Sequence, residues 1–269
     1  MQRLSWLASL VLTGLPGLAG AHCSRVLEVP VAPIGLAVTA SGGKVGGIYP
    51  ELLRNLAEEP GCEMNFTLVP RARQEYLFES GQSDMLVPAR RSPKRDQSGE
   101  FIPLIKSRVM FVSLHALPPE LHSITELLKR HELRVVLVRG YDYGSAYLAL
   151  IKMLEAQGRV LWSTDPISVI RSLDADMAEL TILTPTVLTG AMRADSKYSA
   201  QISQLHYQSI DELPWGDSGV YISRKSSLSE GDRQQLRQWL HRLGKSGATW
   251  RAFQRYYPDE NLGQTIRPY

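Results

Sequence analysis

Cysteine is scarce, with two in 269 residues, and no C-x-x-C pair occurs. That excludes zinc-knuckle and thioredoxin-type chemistry. The six histidines lack H-E-x-x-H or any comparable ligand spacing, so neither a metal nor a cofactor is expected. Charge of one sign is also lacking: Lys and Arg number 30 against 27 Asp and Glu, with no dense basic run. A nucleic-acid-binding surface therefore has no electrostatic footprint. Beyond the N-terminus no apolar run approaches the roughly 20 residues of a membrane span. Repeats and low-complexity tracts are absent. A composition 43% hydrophobic and 21% charged nevertheless rules out wholesale disorder and fits a globular chain of one large or two small domains.

What is present begins with a leader. Residues 1–21 join a basic start at Arg3, an apolar stretch from Leu4 to Leu18 and the small triplet Ala19-Gly20-Ala21. This pattern predicts a cleavable signal peptide and export of the remainder. His22 separates the triplet from Cys23, which argues against lipid attachment. In an oxidising compartment the even count of Cys23 and Cys62 reads as a disulfide, with two free thiols as the alternative. Each cysteine precedes a strand-like run, 25–31 and 63–69. If those runs are parallel neighbours, their starting ends lie side by side.

Short apolar runs then alternate with amphipathic stretches, the pattern of α/β sheets covered by helices. Strands are expected at 84–88, 109–114, 133–138, 159–163, 180–183 and 219–223, the LRVVLV run at 133–138 being apolar enough to be buried on both faces. Helices are expected near 50–58, 71–80, 143–157 and 230–243. Their start signals include Pro50 and capping oxygens at Ser123, Asp165 and Ser229. The domain reading is lobe one over 22–115, lobe two over 116–210 and a return to lobe one over 211–269.

Two motifs invite misreading. Ala21-His22-Cys23 and Gly216-Asp217-Ser218-Gly219 echo trypsin-like proteases. A triad histidine must be oriented by a buried acid, however, and His22 sits at the expected mature N-terminus. Gly216–Gly219 reads instead as a turn before a strand. The glycine-rich Gly42–Gly47 fits neither phosphate-loop spacing and reads as a flexible turn.

The informative stretch is 81–95, GQSDMLVPARRSPKR. A strand ends at Pro88, and Arg90, Arg91 and Arg95 crowd the loop beyond it, where open α/β sheets bind ligands. An arginine there can grip a carboxylate with two parallel hydrogen bonds. By position, Tyr49 at the start of the first helix and Arg71 and Arg73 at the start of the second face the same end. Gly140–Gly144 follows the central strand of lobe two and opens a helix. Asp142 is placed to cap that helix or to receive a ligand cation, and Tyr141 and Tyr143 to stack on a ligand or simply pack.

With GIYPELLRNLA at 47–57 and VPRARQEYLFESGQSDMLVPARRSPKR at 69–95, the chain resembles the family 3 extracellular solute-binding proteins, the periplasmic polar-amino-acid-binding components of ABC transporters. The resemblance implies a type II two-lobed fold, each lobe a mainly parallel sheet flanked by helices, with two hinge crossings. It implies a periplasmic, monomeric, non-enzymatic binder of an amino acid or related small carboxylate, with an inner-membrane ABC permease as partner. Ser92-Pro-Lys-Arg95 matches the family's [ST]-x-x-R element, which assigns the ligand carboxylate to Arg95. Where members carry an amine-binding hydroxyl this chain has Arg90. Where they carry an acid after the strand at 180–183 it has Thr184 and Pro185, which points to a more anionic ligand. A sensory or partner-docking protein of this fold is the alternative reading. A dehydratase-like enzyme is a weaker one, since no Glu/Asp–His pair is visible.

Overall fold

The structure, a computed structural model, describes residues 23–58, 61–258 and 260–269; the leader expected over 1–21 lies outside the described residues. Lobe one opens with β1 (Leu27–Val31), the hairpin β2 (Thr39–Ser41) and β3 (Lys44–Gly46), and α1 (Ile48–Glu58). The hairpin turns on Gly42 and Gly43, with φ of 54° and 75°. Two left-handed residues in succession are what a two-residue hairpin loop needs, so the glycine-rich stretch is a tight turn. Next come β4 (Met64–Leu68), α2 (Arg71–Glu79), β5 (Met85–Arg90), the short α3 (Pro93–Asp96) and β6 (Gly99–Ser107).

Lobe two contains β7 (Met110–Ser113), α4 (Ile124–Lys129), β8 (Val135–Val138), α5 (Ser145–Ala156), β9 (Val160–Ser163), α6 (Pro166–Asp174), β10 (Leu180–Leu183), α7 (Pro185–Arg193) and β11 (His206–Ser209). The chain then returns through β12 (Gly216–Ser223), α8 (Glu230–Lys245), α9 (Ala248–Tyr256) and β13 (Ile266–Pro268). Among the described residues no helix is long and apolar enough to cross a membrane.

The lobe-two sheet runs β11-β7-β10-β8-β9, with β8 parallel to both β9 and β10. Alternation along β8 sends Val135 and Leu137 into one core and Val136 and Val138 into the other, which accounts for its unbroken apolar run. In lobe one β1 and β4 pair in parallel, while β13-β6-β12-β5 form an antiparallel sheet. The sheet there is more antiparallel than the sequence suggested, because β6 leads out to lobe two and β12 leads back beside it. The boundary also moves. β7, read from sequence as part of lobe one up to 115, hydrogen-bonds to β10 and β11, so the first crossing comes just after Ser107. Gly216–Gly219 is not a turn but the start of β12.

Local signals behave as the residues dictate. Ser123, Asp165 and Ser229 each accept a hydrogen bond from the N–H three residues on. Leu236, Trp239, Leu240 and Leu243 form the buried face of α8. Cys23 and Cys62, at the starts of parallel neighbours β1 and β4, are disulfide-bonded with Cα atoms 4.9 Å apart.

Candidate functional site

Between the lobes lies a cavity of about 80 Å³. Lobe one lines it with Tyr49 from α1, Arg71 from α2, Pro88 and Arg90 from β5, Arg95 from α3, Ser107 from β6 and Ser218 from β12. Lobe two contributes Tyr141, Asp142 and Tyr143 from the loop after β8, and Thr184, Thr186 and Val187 from the start of α7. Phe253 and Tyr257 from the C-terminal segment also line it. The sequence-based set therefore converges on one place, except Arg73. One hundred degrees per residue turns that side chain away from Arg71 on α2; it is exposed, with Cζ 4.9 Å from the Tyr76 ring centroid.

Arg95 is 1% exposed, and its guanidinium is engaged by the protein itself. Nε donates to Glu75 Oε2 at 3.1 Å and Nη2 to Glu75 Oε1 at 2.7 Å, while Nη1 donates to the carbonyls of Arg90 and Asp142 at 2.8 and 3.3 Å. The fork that the sequence reserved for a ligand carboxylate thus grips the chain's own. Arg71 pairs with the same carboxylate through Nη2, and its Nη1 donates to Gln74 and to the Pro88 carbonyl, each at 2.9 Å. Gln74 anchors this arrangement by donating to the Pro30 and Val87 carbonyls.

Electrostatics separate the three arginines. Burial alone would pull Arg95 down, but Glu75 overrides it and the guanidinium is held above its ordinary range. Burial pulls Arg71 and Arg90 down, and neighbouring negative charge does not restore either. Arg90 donates only to carbonyls, those of Pro214 at 2.7 Å and Ser107 at 3.4 Å, and has no carboxylate partner among the described residues. Of the three guanidiniums in the wall it is the one whose hydrogen bonds go to carbonyls alone. The Arg71 Nε and the Tyr141 hydroxyl are also buried without a hydrogen-bond partner among the described residues. Burial pushes the Tyr49 hydroxyl up to about 12 and Tyr141 higher still, so both remain protonated donors.

Asp142 does not cap α5, whose N-cap is Gly144. Its Oδ1 accepts from the Gly144 N–H at 2.8 Å and its Oδ2 from Ser92 Oγ at 2.7 Å, which ties the two lobes together. Tyr257 adds a second tie, accepting from Leu36 N–H and donating to the Thr186 carbonyl at 2.7 Å. Arg193 and Glu260 add a third at 3.2 Å. Backbones meet at Gly190, where a Cβ would sit 2.5 Å from Leu36 N and 2.9 Å from Gly35 Cα. Gly190→Val should therefore wedge the lobes apart. Small-angle scattering should show a larger radius of gyration and calorimetry at least a tenfold loss of ligand affinity; unchanged values in both would mean that close approach is dispensable.

Sequence reasoning missed Glu75, Ser107, Thr186, Ser218 and Tyr257. Glu75 had a faint signal, since it stands four residues after Arg71 on a helix. Thr186 stands two residues beyond Thr184 in the first turn of α7, while Ser107, Ser218 and Tyr257 reach the cavity only through chain reversal, which no local pattern reveals.

No protein-family model matches the chain, and no curated protein matches its sequence. Solved structures do match in shape. The structure of EhuB in complex with hydroxyectoine has a TM-score of 0.68 at 14% identity, over 88% of each chain. The arginine-, lysine-, histidine-binding protein ArtJ from Geobacillus stearothermophilus also scores 0.68 at 14% identity, over 89% of this chain and 98% of its own. A histidine kinase sensor domain with similarity to periplasmic binding proteins scores 0.67 at 18% identity, over 91% and 98%. The chain has the two-lobed α/β fold of the periplasmic binding proteins, closed over an arginine-rich cavity between the lobes.

Proposed function

We propose that this chain is an exported, periplasmic solute-binding protein that captures a small carboxylate-bearing solute by lobe closure and presents it to an ABC permease in the inner membrane. The observation that carries this reading is Arg90, a guanidinium in the wall of an interlobe cavity with no carboxylate in hydrogen-bond contact among the described residues. A half-buried cation of this kind gains most from an anion brought in from outside, and hinge closure is the motion that removes water around the pair. Of the two carboxylates nearby, Asp142 lines the cavity and Glu75 stands behind Arg71 and Arg95; both accept hydrogen bonds from the chain itself, and the site is read as one for binding without turnover.

A thermal-shift screen of amino acids and small carboxylates, with mass spectrometry of whatever co-purifies, tests the proposal. A true ligand at 100 times its dissociation constant stabilises by about 2.7 kcal/mol, a readily measured rise. Arg90→Gln should weaken that ligand at least tenfold while leaving the melting temperature of the free protein nearly unchanged. Equal affinity by titration calorimetry would remove Arg90 from the site. The likeness to a kinase sensor domain favours a second reading, a sensory protein that docks a membrane partner when closed. A neighbouring permease and ATPase gene pair would favour transport over it.

A further inference from the structure

We propose that the cavity takes a small monocarboxylate that carries no ammonium group, and that it discriminates against α-amino acids. This rests on the reading of the chain as a carboxylate-binding protein and goes further, to the ligand's charge and size.

Charge balance comes first. Three guanidiniums, Arg71, Arg90 and Arg95, line the cavity; Asp142 lines it with them and Glu75 stands behind Arg71 and Arg95, while Asp217, whose charge also reaches Arg90, is matched by Lys106 at 3.2 Å, which leaves an excess of one positive charge. Between largely buried side chains such an excess is best met by a monoanion. A zwitterion brings no net charge and leaves the excess in place.

Its ammonium group would also need an acid whose charge is not already answered. Glu75 accepts three hydrogen bonds from Arg95 and Arg71, two guanidiniums against one carboxylate, and Asp142 accepts from Ser92 and Gly144 while its charge acts on Arg90 and Arg95. Glu75 thus stands where a ligand carboxylate would otherwise meet Arg95, and Asp142 is spent on joining the lobes.

Donors for one further carboxylate remain. Arg90 has no carboxylate in hydrogen-bond contact among the described residues, and Arg71 and Tyr141, whose side chains line the cavity, each keep one buried polar atom, Nε and the hydroxyl, without a partner there. Arg71 Cζ lies 6.0 Å from the Tyr141 ring centroid, Arg90 Cζ 6.0 Å from that of Tyr143, and the two rings are 5.9 Å apart, so these donors share one wall. Ile34, Ala37, Ile105, Val187 and Ile266 line the space with them, which suits a short hydrocarbon body better than an inorganic anion. At about 80 Å³ the cavity is far below the roughly 300 Å³ of a drug-sized pocket, so the occupant has only a few heavy atoms.

The test is titration of the full mature protein with L-lactate, pyruvate and propionate against L-alanine and glycine. Lactate and alanine differ by a hydroxyl in place of an ammonium and isolate that group. The expected result is binding of the monocarboxylates with alanine at least tenfold weaker than lactate. Alanine binding as tightly as lactate would overturn this inference and leave the broader carboxylate-binding reading standing. Binding by neither set would also overturn this inference, and the wider thermal-shift screen then decides the carboxylate-binding reading separately. In Glu75→Gln the excess rises to two, so malonate should gain at least tenfold relative to propionate. An unchanged ratio in that variant, its fold checked by circular dichroism, would remove Glu75 from the explanation.

Discussion

Glu75→Gln should lower folding stability by about 3–5 kcal/mol, because it strips the shared counter-ion from two buried guanidiniums at once. Arg71 is 6% exposed and Arg95 1%, and both direct their forks at this carboxylate. A chain of this size loses roughly 2–4 °C of melting temperature per kcal/mol, so a fall of roughly 6–20 °C is expected by calorimetry or circular dichroism. Arg95→Met should cost less, since Arg71 and Glu75 still form a neutral pair without it. If the arginine variant proved the more damaging, the carboxylate would not be the keystone of the cluster. Burial alone would push Glu75 up, but Arg71 and Arg95 more than undo this and hold it below the ordinary carboxylate range. Its contribution is then fully present above the usual glutamate pKa of about 4.3 and is lost as pH falls through the depressed folded value. The wild-type protein should therefore lose its advantage over Glu75→Gln only in strong acid. An advantage that vanished between pH 5 and 7 would contradict the depressed value.

Reducing or removing the disulfide is the second large effect. Cys23 and Cys62 are 39 residues apart in sequence, and closing a loop of that length constrains the unfolded chain by about 4 kcal/mol in the entropy model. Cys23→Ser with Cys62→Ser should thus melt roughly 8–16 °C lower than the oxidised protein. The bridge joins the starting ends of β1 and β4, whereas the cavity lies beyond the carboxyl ends of the lobe-one strands, so ligand affinity should change less than twofold. A large loss of affinity with little loss of stability would reverse that assignment. The pair of outcomes separates what holds lobe one together from what recognises the solute.

Much of the site was legible from sequence because ligand residues in open α/β proteins come from known places, the loops after strands and the first turns of helices. Tyr49, Arg71, Arg90, Arg95 and the Tyr141–Tyr143 loop were all found that way, and all line the cavity. The role of Arg95 was not legible. Its residue type and spacing specify a carboxylate partner, but Glu75, twenty residues earlier on another helix, satisfies it. Arg73 was misplaced by the same shortcut, since standing at a helix start does not say which way a side chain points.

The alternation of strands and helices, the caps, the cysteine pair and the gathering of arginines beyond β5 can all be read from residue order. These are local matters of period, turn chemistry and residue type, and they survive whatever the chain does at long range. Which arginine is left without a hydrogen-bonded carboxylate was settled in three dimensions. That depends on which acid reaches which guanidinium once α2, α3 and the loop after β8 are brought together, because a buried ion pair forms by proximity in space and leaves no mark in spacing along the chain.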